Sequence, residues 1–294
     1  LEGWGYTEVK TTSFTNESEL RNANLELKNT LRVQNPLTED ATLLRPSLVP
    51  KLLRIYSQNQ KWHKNPAIFQ LSRTFTSSKN NKLPTESWKL AGLRTGKDEE
   101  SSFYQLKGTV EALLAKLGVE NTKFKPLTEE SPFWKQNASA KILAGNEELL
   151  EVGQLGIIKK TVQENFKIEK GIAGFDLEVN NLLENARKFK TYQPISPHPP
   201  VIEDLTFEVG ERSLVGNIKK TIEKLANQDY QTEVTAKTIY QDNSLKKQEK
   251  KRITFTLEYN SEKGSLSDKD IRPLRKKIVK TVKEKFEAEL TGSV

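Results

Sequence analysis

The sequence contains no cysteine and no methionine, and its two histidines, His63 and His198, are isolated from each other. Without cysteine there is no disulfide framework, thiolate zinc site, iron–sulfur cluster or cysteine nucleophile. Two isolated histidines cannot assemble a multi-histidine metal centre, so no metal site is expected. No run of about 18 apolar residues occurs, which excludes a membrane-spanning helix of ordinary type. No signal-peptide pattern is present, and the expected compartment is the cytoplasm. The chain starts Leu1-Glu2-Gly3-Trp4 and lacks any initiator methionine, so it reads as a piece of something longer. Phosphate-cradling loops of the GxxxxGK[ST] and GxGxxG types are also missing. His63 reads as a surface residue and His198 as part of a proline-rich segment. The scattered carboxylates single out no acid–base pair, and no catalytic residue is assigned.

What is present is a soluble, basic composition: 47 Lys and Arg against 39 Asp and Glu over 294 residues, a net charge of +8. That length accommodates two domains, and the positive balance favours polyanionic partners through counterion release. Four of the 12 prolines, Pro194, Pro197, Pro199 and Pro200, fall within the segment Lys190–Pro200. Such a run forms neither a helix interior nor a central strand, so it divides the chain near residue 193.

The first part mixes elements. Leu48, Leu52, Tyr56 and Asn59 share a helical face opened by Pro46 and Pro50. Phe69, Leu71, Arg73 and Phe75 alternate as a half-buried strand would. Phe103–Gly118 places Leu106, Val110, Leu113 and Leu117 on one stripe, with Gly118 suited to the position just past a helix. Residues 138–158 read as two strands around Gly145-Asn146, and Gly171–Val179 as another. Gly153-Gln154-Leu155-Gly156 is read as close packing of a strand. Neighbouring strands with short connections indicate an antiparallel sheet carrying helices, an α+β arrangement.

The second part is more regular. Leu205, Phe207 and Val209 alternate; Leu214, Ile218, Ile222 and Leu225 follow at helical spacing; Glu233–Tyr240 is a strand. Ile253, Phe255, Leu257 and Tyr259 alternate again, a long helix begins near Ser267, and Glu289–Val294 supplies a short last strand. The order βαββαβ is the ferredoxin-like arrangement.

The helix after Ser267 is the strongest local feature. Ser267 and Asp270 resemble a capping box. Ile271, Leu274, Ile278 and Val282 occupy one side, while Lys269, Arg272, Lys276, Lys280 and Lys283 cluster on the other. A stripe of this kind tracks phosphates in RNA-binding proteins and equally serves as a solvated face. Pro273 is too deep for the first turn, so the helix is expected to start later or to kink there. Among the aromatics of the sheet, Phe255 is expected in the core, whereas Tyr240, at a strand end, remains open for stacking on a base.

Several segments, in order, resemble the bacterial phenylalanine–tRNA ligase β subunit. They are Trp4-Gly-Tyr-Thr-Glu-Val9, Ser13-Phe14, Asn35-Pro-Leu-Thr-Glu-Asp-Ala-Thr-Leu-Leu-Arg-Pro-Ser-Leu-Val-Pro50, Phe69–Phe75, Phe103–Gly118, Gly153–Gly156 and Asp204-Leu205. The resemblance implies a class II synthetase-like module over residues 1–190, catalytically silent, and a ferredoxin-like anticodon-binding domain over 194–294. It implies an α2β2 assembly in which phenylalanine, ATP and Mg2+ belong to the α subunit or to upstream parts. This piece would hold no cofactor; it would scaffold the α subunit and bind tRNA(Phe). Asn35, Pro36, Arg45 and the helix that follows would lie near the subunit interface.

The residues agree with silence. A working site of this class holds the ATP α-phosphate with Arg within Phe-Arg-x-Glu, and here the strand reads Phe69-Gln70-Leu71-Ser72. Two departures from the family pattern stand out: Glu203 replaces an Arg before Asp204, and a His-Pro is missing after Gly156. The other readings are a free-standing RNA-binding module and a self-sufficient synthetase. The missing phosphate-binding arginine argues against the second of these.

Overall fold

The computed structural model describes residues 1–63, 65–78, 83–145, 149–187, 196–261 and 264–291. It divides into two compact units, Leu1–Thr191 and Tyr192–Val294. Asn146 and the point of division near residue 193 lie outside the described residues.

In the first unit the elements are, in order, β1 (Thr7–Glu8), β2 (Phe14–Thr15), α1 (Glu17–Asn22), β3 (Leu43–Leu44), α2 (Val49–Asn59), β4 (Ala67–Thr76) and β5 (Thr85–Thr95). Then come α3 (Glu99–Lys116), β6 (Lys123–Pro126), β7 (Trp134–Ala144), β8 (Leu150–Ile158), α4 (Lys160–Asn165), β9 (Ile172–Glu178) and α5 (Val179–Asn185). Among the described residues, seven strands form one sheet in the order β1-β4-β5-β9-β8-β7-β6. Only the β1–β4 pair is parallel.

Both faces of this sheet are covered. On one, Ile68, Ala91, Leu93, Trp134, Ile158 and Ile172 pack with Leu48, Leu52, Leu53 and Tyr56 around α2. On the other, Leu155, Ala173, Phe175 and Leu177 pack with Leu106, Val110 and Leu114 of α3 and Leu182 of α5. Pro50 sits in the first turn of α2, where a missing N–H costs nothing. Asp98 caps α3 by accepting from the Ser101 N–H at 2.7 Å, so the helix begins at Glu99, a turn before Phe103. Gly118 takes φ +69° just beyond its end, as expected. Gly153 is needed where the strands close up: a Cβ there would lie 2.4 Å from the Asp176 carbonyl oxygen, with φ at +153°.

One phase expectation is corrected. In β4 the buried residues are Ile68, Gln70 and Thr74, whereas Leu71 is 46% exposed. The apolar alternation of Phe69, Leu71 and Phe75 follows the less covered face. The covered face accepts polar groups because it can satisfy them: Gln70 Oε1 accepts from Thr11 Oγ1 at 3.0 Å.

The second unit contains β10 (Val201–Gly210), α6 (Val215–Ala226), β11 (Gln231–Tyr240), α7 (Asn243–Lys247), β12 (Lys250–Asn260), α8 (Asp268–Phe286) and β13 (Glu289–Leu290). Its antiparallel sheet runs β11-β12-β10-β13, and with α6 and α8 this is the ferredoxin-like βαββαβ topology. Only one face is covered by helices. Leu205, Phe207, Val209, Ile253, Phe255, Leu257 and Tyr259 point to Ile218 and Ile222 of α6 and to Ile271, Leu274, Ile278 and Val282 of α8. Phe255 is fully buried, as its phase requires.

Here, too, one expectation changes: α8 runs from Asp268 across Pro273 without a later start. The proline is exposed, so the carbonyl that loses its intrahelical donor can be hydrated. The last strand is confined to Glu289–Leu290, and residues 292–294 lie outside the described residues.

Candidate functional site

The apolar spacing of α8 fixes which way its charges point. Ile271, Leu274, Ile278 and Val282 are 4% exposed or less, which turns Lys269, Arg272, Lys276, Lys280 and Lys283 outward, all exposed. Asp270 anchors the start of the helix by accepting from the Ser267 N–H at 2.8 Å and the Ser267 hydroxyl at 2.6 Å. These bonds hold the Asp270 carboxyl below its usual range. Lys280 has a loose partner in Glu284 at 3.9 Å, whereas Lys269, Arg272, Lys276 and Lys283 make no ion pair with a described residue. The helix's other cations face its flanks. Lys277 donates to Gln228 Oε1 at 3.0 Å, Lys285 to Thr221 Oγ1 at 3.2 Å, and Arg275 turns inward.

Tyr240 does not join this stripe. It pairs in register with Arg252, and Arg252 with Glu208, all on the sheet face that the helices leave open. The basic stripe lies on the outer side of the helix layer, so the two expected tRNA contacts sit on opposite sides of the unit. Tyr240 is 54% exposed, with its hydroxyl 3.4 Å from Asp242 Oδ2. Two carboxylates of the open face, Glu208 and Asp204, are paired internally. Glu208 accepts from Lys250 at 3.0 Å and Arg252 at 3.1 Å; Asp204 accepts from Lys237 and Thr256, both at 2.6 Å. These donors hold both carboxyls below their ordinary values.

Glu203 occupies a half-buried polar junction. It accepts from the Tyr259 hydroxyl at 2.6 Å and from Arg275 Nε, whose Nη2 also reaches Asp268 at 2.6 Å. Burial first, and then the hydrogen bond to the Glu203 carboxylate, push the Tyr259 hydroxyl far above its ordinary value near 10. Burial likewise raises Tyr6, Tyr56 and Tyr104. The folded chain thus holds these protons more tightly than the unfolded chain. The stability this represents is present below pH 10 and is lost as the pH rises above it. In a spectrophotometric titration Tyr6, Tyr56, Tyr104 and Tyr259 should ionise late, and Tyr259→Phe should remove one late-ionising group. An unchanged late-ionising signal in Tyr259→Phe would contradict this assignment.

In the first unit, Asn35 and Pro36 are exposed in a segment where Leu37 is 97% exposed. Arg45 is different in being buried within the unit. It is 1% exposed, and its guanidinium is used internally. Nε donates to the Arg73 carbonyl at 3.0 Å, Nη1 to Thr11 Oγ1 at 2.9 Å and the Thr12 carbonyl at 3.1 Å, and Nη2 to Ser72 Oγ at 2.6 Å. No carboxylate is among these partners, and burial lowers its pKa. The fixed fork of the guanidinium ties the segment around Thr11, strand β4 and the start of α2 into one body.

This junction includes Ser72 and Arg73 of β4, the strand that carries Phe69-Gln70-Leu71-Ser72. Register places Gln70, Ala91 and Asp176 in one row and Ser72, Lys89 and Glu178 in the next, on a single face. Lys89 pairs with Glu178 and, at 3.8 Å, with Asp176, whose carboxyl burial pushes up and Lys89 partly restores. Lys89, the cation of these rows, is therefore committed to carboxylates. The Lys89–Asp176–Glu178 cluster escaped the sequence reading. The alternation Lys89, Ala91, Leu93 within β5 was the signal that could have located the strand.

Two family models match the chain: the phenylalanyl tRNA synthetase beta chain CLM domain over residues 1–179 and the ferredoxin-fold anticodon binding domain over residues 196–291. Similar curated proteins include the phenylalanine–tRNA ligase beta subunit of Listeria monocytogenes, 26% identical over 298 residues, which cover 98% of this chain and 36% of that protein. The beta subunit of Geobacter sulfurreducens is 27% identical over 304 residues, covering 99% and 37%. The chain thus spans little more than a third of the length of these relatives. Among solved structures, a pyrrolysyl tRNA synthetase from Desulfitobacterium hafniense shares the fold. Its TM-score is 0.52 at 17% identity, covering 64% of this chain and 69% of that one. Because a family model accounts for residues 1–179 of 294, and the second unit matches in sequence order, the chain belongs to the phenylalanyl tRNA synthetase beta chain family.

Proposed function

We propose that this chain is the non-catalytic, tRNA-holding part of a phenylalanine–tRNA ligase beta subunit, working beside a separate α subunit. The observation that carries this reading is the outward stripe of α8 within the segment matched by the anticodon-binding model. Four of its cations make no ion pair with a described residue. Such charges are placed to displace counterions from an RNA backbone. In this reading Lys269, Arg272, Lys276, Lys280 and Lys283 track phosphates. Tyr240 serves a separate contact, because it lies on the other side of the sheet.

The first unit acts as scaffold. Asn35 and Pro36 lie in an exposed segment suited to contact with an α subunit, and Arg45 holds that region's base in shape. In this reading ATP and Mg2+ belong to the α subunit or to parts outside this chain, and Lys89 on the synthetase-like face is tied to carboxylates. No described helix is long and apolar enough to cross a membrane, and the cytoplasm is the compartment we assign.

The scaffold role is tested by gel filtration with a cognate α subunit at micromolar concentration. Co-elution and an α2β2-sized species are expected, and separate elution would overturn that role. Phenylalanine-dependent ATP turnover by the chain alone should be absent; measurable turnover would contradict its silence.

A further inference from the structure

A cleft of about 510 Å3 lies in the first unit, where the end of β5 meets the chain entering β4 and β9. Its walls include Trp4, Asn65, Arg94, Lys97, Gln105 and Lys170. Three are cations, and none of its described lining residues is acidic. Volumes of this order hold small organic ligands. A concave surface of one charge sign concentrates the opposite charge.

Arg94 is fixed in advance. Its Nε donates to Gln105 Oε1 at 3.1 Å, and its guanidinium lies over the Tyr6 ring, 5.6 Å from the centroid. Gln105 is held in turn, donating to Ser101 Oγ at 2.9 Å. A planar guanidinium oriented in this way suits a tetrahedral oxyanion. Lys170 reaches across the cleft to within 3.5 Å of Asn65 Oδ1, and Lys97 is exposed at the rim. Trp4 adds an aromatic wall, with Lys116 Nζ 5.6 Å from its ring centroid.

We propose that this cleft binds the phosphate of a nucleotide, either free or as the end of an RNA strand. Arg94 and Lys97 would hold the phosphate, and Asn65, Gln105 and Trp4 would face the nucleoside. The site lies in the first unit and does not rest on the α8 stripe.

The test is calorimetric titration of the full chain with adenosine 5′-monophosphate, adenosine and a uridine hexanucleotide. AMP should bind at least about tenfold more tightly than adenosine. Lys97→Ala, at an exposed position that leaves the fold intact, should weaken AMP about three- to tenfold. Arg94→Ala combined with Lys97→Ala should abolish binding, whereas Lys224→Ala, a charge control on α6, should leave it unchanged. Tighter binding of the hexanucleotide with the same sensitivity to Lys97→Ala assigns the site to RNA. Binding of AMP alone assigns it to a free nucleotide. No saturable binding by any probe, equal affinity for AMP and adenosine, or insensitivity to Lys97→Ala and to the double variant would overturn the proposal.

Discussion

Glu203→Arg should destabilise the second unit by about 3–5 kcal/mol, because it sets two guanidinium groups against each other in a half-buried junction. Glu203 and Arg275 have side chains only 12% and 15% exposed, so water cannot screen the repulsion as it would on the surface. The Tyr259 hydroxyl loses its acceptor in the same step, and it is buried with a fully covered ring. The surroundings of this position, Tyr259 and Arg275, have Glu as their partner. Glu203→Gln keeps an acceptor for both Tyr259 and Arg275 and should cost roughly 1–2 kcal/mol. Thermal unfolding followed by circular dichroism should therefore rank wild type above Gln, and Gln above Arg. An arginine variant as stable as the glutamine variant would show that the junction does not depend on the charge of Glu203.

The second large effect is Arg45→Ala. The substitution leaves the carbonyls of Arg73 and Thr12 and the hydroxyls of Thr11 and Ser72 without their donor inside the first unit. Removing one member of such a buried network costs about 3–5 kcal/mol, which corresponds to a fall of about 10 °C in Tm for a unit of this size. Arg45→Lys should recover little, because an ammonium cannot reproduce the planar fork. All four tryptophans, Trp4, Trp62, Trp88 and Trp134, lie in the first unit, so their fluorescence reports this transition directly. If Arg45→Ala shifted the midpoint by less than about 1 kcal/mol equivalent, the junction would not be a fixing point.

These two positions also show what a sequence can and cannot convey. The second unit was readable because its sheet is covered on one side only: Leu205, Phe207 and Val209, and Ile253 to Tyr259, alternate strictly with polar residues. The first sheet is covered on both sides, so alternation no longer marks the inner face. Phe69 and Leu71 carry the apolar alternation, while Ile68, Gln70 and Thr74 are the buried residues. The resemblance puts Arg45 near an interface. Its internal role depends on partners 27 to 34 positions away, which no local pattern reveals. The separation of Tyr240 from the α8 stripe likewise follows from strand register, Tyr240 against Arg252, rather than from spacing along the chain. The stripe itself was legible, because one helix fixes both its apolar and its charged side.

Binding of tRNA(Phe) by the full chain, measured against salt concentration, tests the central claim most directly. For wild type, the logarithm of the association constant should fall steeply with the logarithm of salt concentration. In the triple variant Arg272→Ala, Lys276→Ala, Lys280→Ala the slope should be shallower by about 2–3, with affinity reduced at least about tenfold at low salt. An unchanged slope and affinity would leave α8 as a solvated helix face and contradict the proposed role of the second unit.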